Sequence, residues 1–232
     1  MKHKTQAQIL SDEQINTKNK STRLPILFCI ESTKHLYIED IQDGFNNFLS
    51  EISSSDDLSS CTEVAIMQFD STQRIVRDFS LINSDNEKIF IKKSEDGDFA
   101  DLGNTLLQAI RKIKIQKLNY DLLGVNYYNP TIVLISSGKY KNDIQKALDT
   151  ITGLKERGVL AIIPFIYHGD NIKIFEAMSV NGEVYNSYTT GYERLFDQIK
   201  KSMHSLSGSS VNAYRSLLDA STDWDDFKFE LR

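Results

Sequence analysis

The feature of this sequence that most restricts its fold is an alternation of short apolar runs with longer amphipathic patterns. The first run, LPILFCI at residues 24–30, is apolar throughout, as in a strand that is buried on both faces of a sheet. After it, apolar side chains recur every three or four residues from Ile38 to Ile52, which predicts an amphipathic helix. This order is typical of a mostly parallel sheet covered by helices on both faces.

The rest of the chain repeats this order. Further strands are predicted at the apolar runs 62–69, 131–136 and 159–167. Further helices are predicted from the periodicity over residues 102–113, 144–154, 172–178 and 195–203. The sequence therefore predicts a doubly wound, Rossmann-like α/β domain with ligands at the carboxyl ends of its strands.

One strand departs from the parallel pattern. QRIVRDFS, residues 73–80, follows the strand at 62–69 after a turn of three residues. A parallel crossover needs about a dozen residues or more, so this strand is predicted to be antiparallel. Pro164 interrupts the strand at 159–167 and predicts an edge position or a bulge. Connections are predicted at residues 53–61 and 120–130, and short strands at residues 88–93 and 183–185.

The predicted domain covers residues 23–206. Residues 1–22 are polar and aperiodic, as in a flexible arm, and residues 207–232 form an acidic tail with aromatic side chains. The tail contributes three candidate partner-binding residues, Trp224, Phe227 and Phe229. Two interpretations of the tail stay open: it docks on a partner, or it packs over its own domain and hides an apolar patch.

Composition argues against several classes of partner. The formal net charge is −5 at pH 7, whereas a general affinity for nucleic acid usually goes with a basic excess. No apolar run approaches the ~20 residues that span a membrane, and the first residues lack the apolar segment of a secretory signal. We therefore expect a cytoplasmic protein without a nucleic-acid or membrane partner.

The two cysteines are expected to be thiols. Cys29 lies late in the first predicted strand and Cys61 at the start of the second. On parallel neighbouring strands they would be offset by about 15 Å, whereas a disulfide spans at most ~7 Å.

Common catalytic and nucleotide-binding motifs are missing from the sequence. It has no Gly-x-Gly-x-x-Gly, no Gly-x-x-x-x-Gly-Lys-Ser/Thr, no Gly-x-Ser-x-Gly and no His or Cys pair with the spacing of a zinc site. This pattern favours binding over chemistry, although a fold alone never settles function.

Four phrases follow one another along most of residues 23–211: RLPILFCIEST, VAIMQFDS, GVNYYNPTIVLISSG and YERLFDQIKKSMHSLSGSS. In order and spacing they resemble the von Willebrand factor A (vWA) domain, and more narrowly its bacterial TerY-like subgroup, which is associated with tellurium resistance. The resemblance implies a divalent-metal site built from three loops. In metal-binding members, the first loop supplies Asp-x-Ser-x-Ser, the second a Thr and the third an Asp.

This chain departs from that metal-binding pattern. The five corresponding residues are Glu31, Thr33, His35, Ala100 and Ser137. Ala100 has no ligand atom, Ser137 removes a negative charge, and His35 offers a nitrogen that suits Zn²⁺ better than Mg²⁺. Because only Glu31 and Thr33 keep suitable ligand chemistry, we expect a vestigial metal site, without Mg²⁺ or another cofactor.

The resemblance further implies a non-enzymatic scaffold or adaptor of a bacterial stress-response or defence system, with phosphatase-like and kinase-like protein partners. Loops that no longer bind a metal are free to form a partner surface. Seven residues are expected to line that surface: Glu31, Lys34, His35, Asp70, Asp98, Ser137 and Lys139.

Two alternatives stay open. A metal-dependent hydrolase or phosphatase would use the carboxylates of Glu31, Asp70 and Asp98, since paired carboxylates bind a cation or transfer protons. A metal-dependent adhesion module would bind the carboxylate of a partner through a cation. Both alternatives require a divalent metal.

Overall fold

The computed structural model describes residues 18–82, 88–94, 98–167, 171–179, 182, 184–186 and 191–207. The predicted tail, apart from Ser207, and most of the predicted arm lie outside this part of the chain. None of the helices in the described part has the length and apolarity needed to cross a membrane.

The described residues form one six-stranded sheet with the order β3-β2-β1-β4-β5-β6. The strands are β1 (Leu24–Glu31), β2 (Thr62–Phe69), β3 (Gln73–Leu81), β4 (Thr131–Ser136), β5 (Ala161–Ile166) and β6 (Tyr185–Asn186). The helices are α1 (Ile38–Ser53), α2 (Asp56–Cys61), α3 (Leu102–Leu123), α4 (Gln145–Glu156), α5 (Ile172–Met178) and α6 (Gly191–Ser207). β3 is antiparallel to β2, and the other neighbouring strands are parallel. The predicted doubly wound α/β fold is confirmed.

The strand β1 is apolar throughout because both of its faces are buried. Phe28 packs in the core under α1 and α6, where its ring centroid lies 4.8 Å from that of Phe45 and 6.1 Å from that of Phe196. Leu27 and Cys29 lie in the second core, under α3, α4 and α5. Successive side chains of a strand point to opposite faces, so one continuous apolar run serves both cores.

The helix α2 corrects the prediction of a connection at 53–61. The side chain of Ser55 accepts a hydrogen bond from the backbone N of Leu58 at 3.5 Å and so caps the helix. Asp56 and Asp57 occupy the first turn, where the helix dipole favours acidic groups. Leu58 anchors the helix because it is fully buried. A segment with one apolar anchor shows no periodicity, which is why the helix was not predicted.

The helix α3 is longer than predicted. It continues through Leu123 and ends at Gly124, whose φ of 65° lies in the left-handed region. The connection predicted at 120–130 therefore begins only at residue 124.

The strand predicted at 88–93 does not form. Backbone N–H groups of this segment donate instead to side-chain amide oxygens, in the pairs Ile89–Asn46, Ile91–Gln42 and Lys92–Gln68. The segment is thus held against α1 and β2 by glutamine and asparagine side chains rather than by a neighbouring strand.

Pro164 lies in β5, and its missing N–H group falls on the outer side of that strand. Ala161 and Tyr167 donate their N–H groups to the β4 side, to Pro130 O at 3.1 Å and Ser136 O at 2.8 Å. Because N–H groups alternate along a strand, the position of Pro164 faces β6. β6 is two residues long and pairs only with the last two residues of β5. Pro164 therefore costs the described sheet no hydrogen bond. The predicted edge position or bulge is not found, because β5 lies between β4 and β6 with an unbroken register to β4, but β6 is too short to reach Pro164.

The prediction for the cysteines is confirmed, since Cys29 and Cys61 are both buried free thiols. Cys29 lies beside Met67 in the register of β1 and β2, whereas Cys61 ends α2.

Candidate functional site at the carboxyl edge of the sheet

The predicted site residues lie on four segments that meet at the carboxyl edge of the sheet. Three of these segments follow β1, β2 and β4, and the fourth precedes α3. β1 and β2 end side by side, at Glu31 and Phe69. The parallel arrangement brings Ser137, which is 106 positions away in sequence, into contact with Glu31.

The carboxylate of Glu31 is enclosed by four hydrogen-bond donors. Its Oε2 accepts bonds from Ser136 Oγ at 2.6 Å and from the backbone N of Ser137 at 2.8 Å. Its Oε1 accepts bonds from Ser137 Oγ at 2.6 Å and from the Thr33 hydroxyl. Glu31 is fully buried, and burial of a carboxylate is tolerated only when its oxygens are bonded in this way.

The prediction that Glu31 and Ser137 line an exposed partner surface is wrong, because both side chains are fully buried. They lie beneath the surface since they bond to each other across the loops that follow β1 and β4. Ala100 is buried as well, and its backbone N donates to Lys139 O at 3.2 Å. These residues fix the relative positions of the loops.

Lys34, His35 and Asp98 form a more accessible contact between the loop after β1 and the segment before α3. Lys34 Nζ pairs with the Asp98 carboxylate, and His35 Nε2 lies 2.9 Å from the backbone oxygen of Asp98. The hydrogen bond from Lys34 and its charge lower the pKa of Asp98 below the usual value. Lys34 and Asp98 are exposed and His35 is half-buried, so all three reach the surface.

The carboxylates of Asp70 and Asp101 serve the backbone around them. Asp70 Oδ1 accepts two hydrogen bonds from Thr72, one from the Thr72 backbone N at 2.8 Å and one from the Thr72 hydroxyl at 3.0 Å. Asp101 Oδ1 accepts a bond from the backbone N of Asn104 at 3.1 Å and caps α3. The two turns are joined because the Asp101 N donates to Asp70 O at 2.7 Å.

The carboxylates that a metal-dependent enzyme would use therefore do not converge. Glu31 faces the serines after β4, Asp70 faces its own turn and Asp98 faces Lys34. In the part of the chain that the structure describes, no three His, Cys, Asp or Glu side chains are grouped so that they could hold a metal ion.

The other predicted partner-binding residues differ in what the structure says of them. Lys139 is half-buried, and its backbone N donates to Ser137 Oγ at 3.2 Å. Trp224, Phe227 and Phe229 lie outside the described residues, so their role stays a prediction.

Aromatic residues at this edge were missed by the sequence reasoning. Tyr37 is 58% exposed, and its ring packs edge-on against Tyr167 with centroids 6.0 Å apart. Lys141 Nζ lies 3.9 Å from the centroid of the Phe99 ring. The one available signal was position, since Tyr167 directly follows β5 and Tyr37 lies in the loop after β1.

A polar cleft of about 360 Å³ opens beside this site, between the β2–β3 turn and residues 92–94. Arg74, Lys92 and Lys93 line it with exposed cationic side chains. Gln68 is buried at its base, where its Oε1 accepts bonds from Arg74 Nη2 at 2.7 Å and from the Lys92 backbone N at 3.1 Å. The sequence analysis missed this cleft because it placed both lysines on a short strand at 88–93, whereas side-chain bonds such as that with Gln68 hold the segment.

Solved structures of vWA-domain proteins are similar to this chain. Proximal thread matrix protein 1 from the mussel byssus matches with a TM-score of 0.52 at 11% identity, over 79% of this chain and 48% of that one. VWA2, a paralog of ArnB from Sulfolobus acidocaldarius, matches with a TM-score of 0.51 at 14% identity, over 77% of this chain and 44% of that one. The chain therefore has a vWA-like α/β fold.

At these identities the likeness concerns the fold alone. This chain covers about half the length of the mussel and Sulfolobus proteins, 48% and 44% respectively. Another structure of the mussel protein, with a TM-score of 0.50 at 12% identity over 78% of this chain and 47% of that one, has a zinc-occupied MIDAS motif. No protein-family model and no curated protein matches the sequence.

Proposed function

We propose that this chain is a non-enzymatic protein-interaction module, and that the loops at the carboxyl edge of its sheet bind a partner without a metal. The observation that carries this proposal is the buried carboxylate of Glu31, which accepts four hydrogen bonds from Thr33, Ser136 and Ser137. The vWA-like fold supports a role in protein interaction or adhesion.

The residues at the metal-binding positions fit Mg²⁺ poorly. Glu31 is the one carboxylate among the five positions, and Ala100 has no ligand atom. His35 directs its Nε2 to the backbone oxygen of Asp98. Mg²⁺ requires a near-octahedral set of oxygen ligands, whereas both oxygens of Glu31 are already bonded to hydroxyl and N–H groups.

The surface above this buried layer has the character of a protein-binding surface. Lys34 and Asp98 present both signs of charge, and Tyr37 adds an exposed aromatic ring. Aromatic residues are enriched at protein interfaces. Because the buried hydrogen bonds hold the loops in place, less conformational entropy is lost when a partner binds.

The resemblance to TerY-like domains supports a finer proposal about the partners. It implies phosphatase-like and kinase-like proteins of a bacterial cytoplasmic stress-response or tellurium-resistance system. The geometry contributes the surface, and the resemblance contributes the partner classes.

A metal-dependent adhesion module is the second candidate. Thr33, Ser136 and Ser137 place hydroxyl oxygens around Glu31, and the mussel protein has zinc in its own MIDAS motif. In such a module, a cation held near Glu31 would bind a carboxylate of the partner.

Calorimetric titration of the full chain with Mg²⁺, Mn²⁺ and Zn²⁺ separates the two candidates. We expect no metal binding that depends on Glu31. Micromolar affinity for any of these ions that disappears in Glu31→Gln would overturn the metal-free proposal and favour the adhesion module.

The partner surface is tested with the double variant Lys34→Glu/Lys139→Glu. Its matched control is Lys114→Glu/Lys146→Glu, which reverses two exposed charges on α3 and α4. With a purified phosphatase-like or kinase-like candidate, we expect only the first variant to lose binding, and EDTA to have no effect. Equal binding by both variants would place the partner on another surface.

A further inference from the structure

Among the residues that the structure describes, those that line the cleft beside the site carry more cations than carboxylates. Arg74, Lys92 and Lys93 contribute three cations, and Asp70 is the one carboxylate among the lining residues. The Asp70 carboxylate is bonded to Thr72 within its own turn. Among the described residues, no carboxylate forms an ion pair with any of these three cations.

Gln68 holds the Arg74 guanidinium and the backbone of Lys92 in position. Its side-chain oxygen binds both the Arg74 guanidinium and the Lys92 backbone N, and its side-chain nitrogen donates to the Lys92 backbone oxygen at 2.5 Å. One buried amide therefore links β2, β3 and the segment that carries the two lysines. This arrangement fixes the spacing between Arg74 and the backbone of Lys92 before any ligand binds.

A second cleft, of about 310 Å³, lies on the opposite face of the sheet, between the start of β3 and α3. Arg74 lines both clefts. The second is lined by the apolar side chains of Met67, Ile75 and Ile115, with Arg111 and Lys112 beside them. Ile75 is 42% exposed, so an apolar side chain is accessible in this cleft.

The strand β3 is the outermost strand of the described sheet on this side. An edge strand presents backbone N–H and C=O groups to an extended peptide, which gives affinity without requiring a particular sequence. The two clefts lie at the first residues of this strand, one on each face of the sheet. Because successive side chains of a strand point to opposite faces, a peptide strand alongside β3 would reach both.

From these observations we propose that the two clefts bind an acidic peptide segment of a protein partner, with carboxylates in the first cleft and an aromatic or aliphatic side chain in the second. Charge complementarity selects the carboxylates, and the exposed isoleucine selects the apolar side chain. The inference rests on the proposed function, because it names the chemistry of the partner that such a module would bind.

The probe is a fluorescent peptide, Glu-Glu-Phe-Asp-Asp-Trp-Glu-Glu, and its binding to the full chain is measured by anisotropy. A peptide with Gln and Asn in place of Glu and Asp has the same aromatic residues without the charge. We expect the acidic peptide to bind, the neutral one to bind at least about tenfold more weakly, and added salt to weaken the acidic peptide because it screens exposed charges.

Two variants with matched controls locate the binding. Lys92→Ala/Lys93→Ala should weaken the acidic peptide about tenfold, since two exposed charge contacts are lost, whereas Lys114→Ala/Lys146→Ala should not. Ile75→Ser should also weaken it, whereas Leu118→Ser, at a residue that is 46% exposed on α3, should not. No binding, or equal loss in the controls, overturns the inference.

Two further experiments test whether another ligand occupies the clefts. A single-stranded oligo-dT of twelve nucleotides that binds as tightly as the acidic peptide would make the cleft a general polyanion site and overturn the inference. A triple variant tests whether the acidic segment 223–226 of this chain competes with the peptide for the clefts: Asp223→Asn/Asp225→Asn/Asp226→Asn. Tighter peptide binding by this variant would assign the clefts to that segment instead, and unchanged binding supports a partner protein.

Failure of this inference is distinguishable from failure of the proposed function. If a partner binds through Lys34 and Lys139 without metal, and Lys92→Ala/Lys93→Ala binds it unchanged, only the peptide clefts are excluded. Glu31-dependent metal binding would exclude the metal-free module and would leave peptide binding to the clefts as a separate result.

Discussion

Ser137 donates two hydrogen bonds to Glu31, from its backbone N to Oε2 at 2.8 Å and from its hydroxyl to Oε1 at 2.6 Å. These bonds tie the end of β1 to the loop that follows β4. Because both residues are fully buried, this link is a structural element beneath the candidate partner surface.

Replacement of Glu31 should destabilise the protein more than replacement of an exposed glutamate. Glu31→Ala leaves the hydroxyls of Thr33, Ser136 and Ser137 without their acceptor, and we expect the free energy of unfolding to fall by about 2–4 kcal/mol. Urea denaturation measures this change. Glu39→Ala, at an exposed position in α1, should change it by less than about 0.5 kcal/mol. A similar small effect for both variants would contradict the role assigned to Glu31.

A second buried charge lies at the opposite edge of the sheet. Arg23 Nε is 3.0 Å from Glu63 Oε1, with both side chains almost fully buried. Glu63 Oε2 accepts bonds from Tyr120 Oη at 2.6 Å and Gln116 Nε2 at 3.0 Å. Arg23 Nη1 donates to Ser21 O at 2.8 Å, which ties the last residues of the predicted arm to the domain.

Breaking this pair should be costly. Glu63→Ala leaves the Arg23 guanidinium buried without its carboxylate, and we expect a loss of about 3–5 kcal/mol. The double variant Arg23→Met/Glu63→Leu removes both charges. Its loss of unfolding free energy should be smaller than the sum of the losses in Arg23→Met and Glu63→Leu alone. For comparison, Lys200→Ala removes a more exposed pair with Glu51 and should cost at most about 1 kcal/mol. Additive effects in the double variant would exclude coupling between Arg23 and Glu63.

Gln68 should control the local stability of residues 88–94. In Gln68→Leu, the Lys92 N–H group loses its acceptor, so we expect its hydrogen exchange to become faster. Exchange at Ile89 should change less, because its N–H group donates to Asn46 at 2.9 Å. Exchange measured residue by residue by NMR tests this. Unchanged exchange at Lys92 would mean that Gln68 does not hold the segment.

The two thiols should be unreactive in the folded protein. Burial raises the pKa of Cys29 to about 12 and also raises that of Cys61, so little thiolate forms at pH 8. We expect Ellman's reagent to detect no thiol in the folded chain at pH 8, and both thiols in urea. Rapid reaction of Cys29 without denaturant would show that the core under α3 opens readily.

The sequence by itself determined the order and type of most elements. Strands buried on both faces are apolar at every position, as LPILFCI shows, and helices with one buried face repeat apolar side chains at short intervals. These signals depend only on neighbouring residues. They fail where one side chain supplies the anchor, as Leu58 does in α2, or where side-chain amides replace a strand, as at residues 88–94.

Only the tertiary structure decided how the site is built. The sequence marked Glu31 and Ser137 as related positions, but it placed them on the surface rather than beneath it. Their contact depends on the register of β1 against β4, which brings together residues 106 positions apart. The cationic cleft likewise depends on Gln68 holding Arg74 and Lys92 together. Such contacts leave no periodic trace because each is made once, between segments that only the folded sheet makes neighbours.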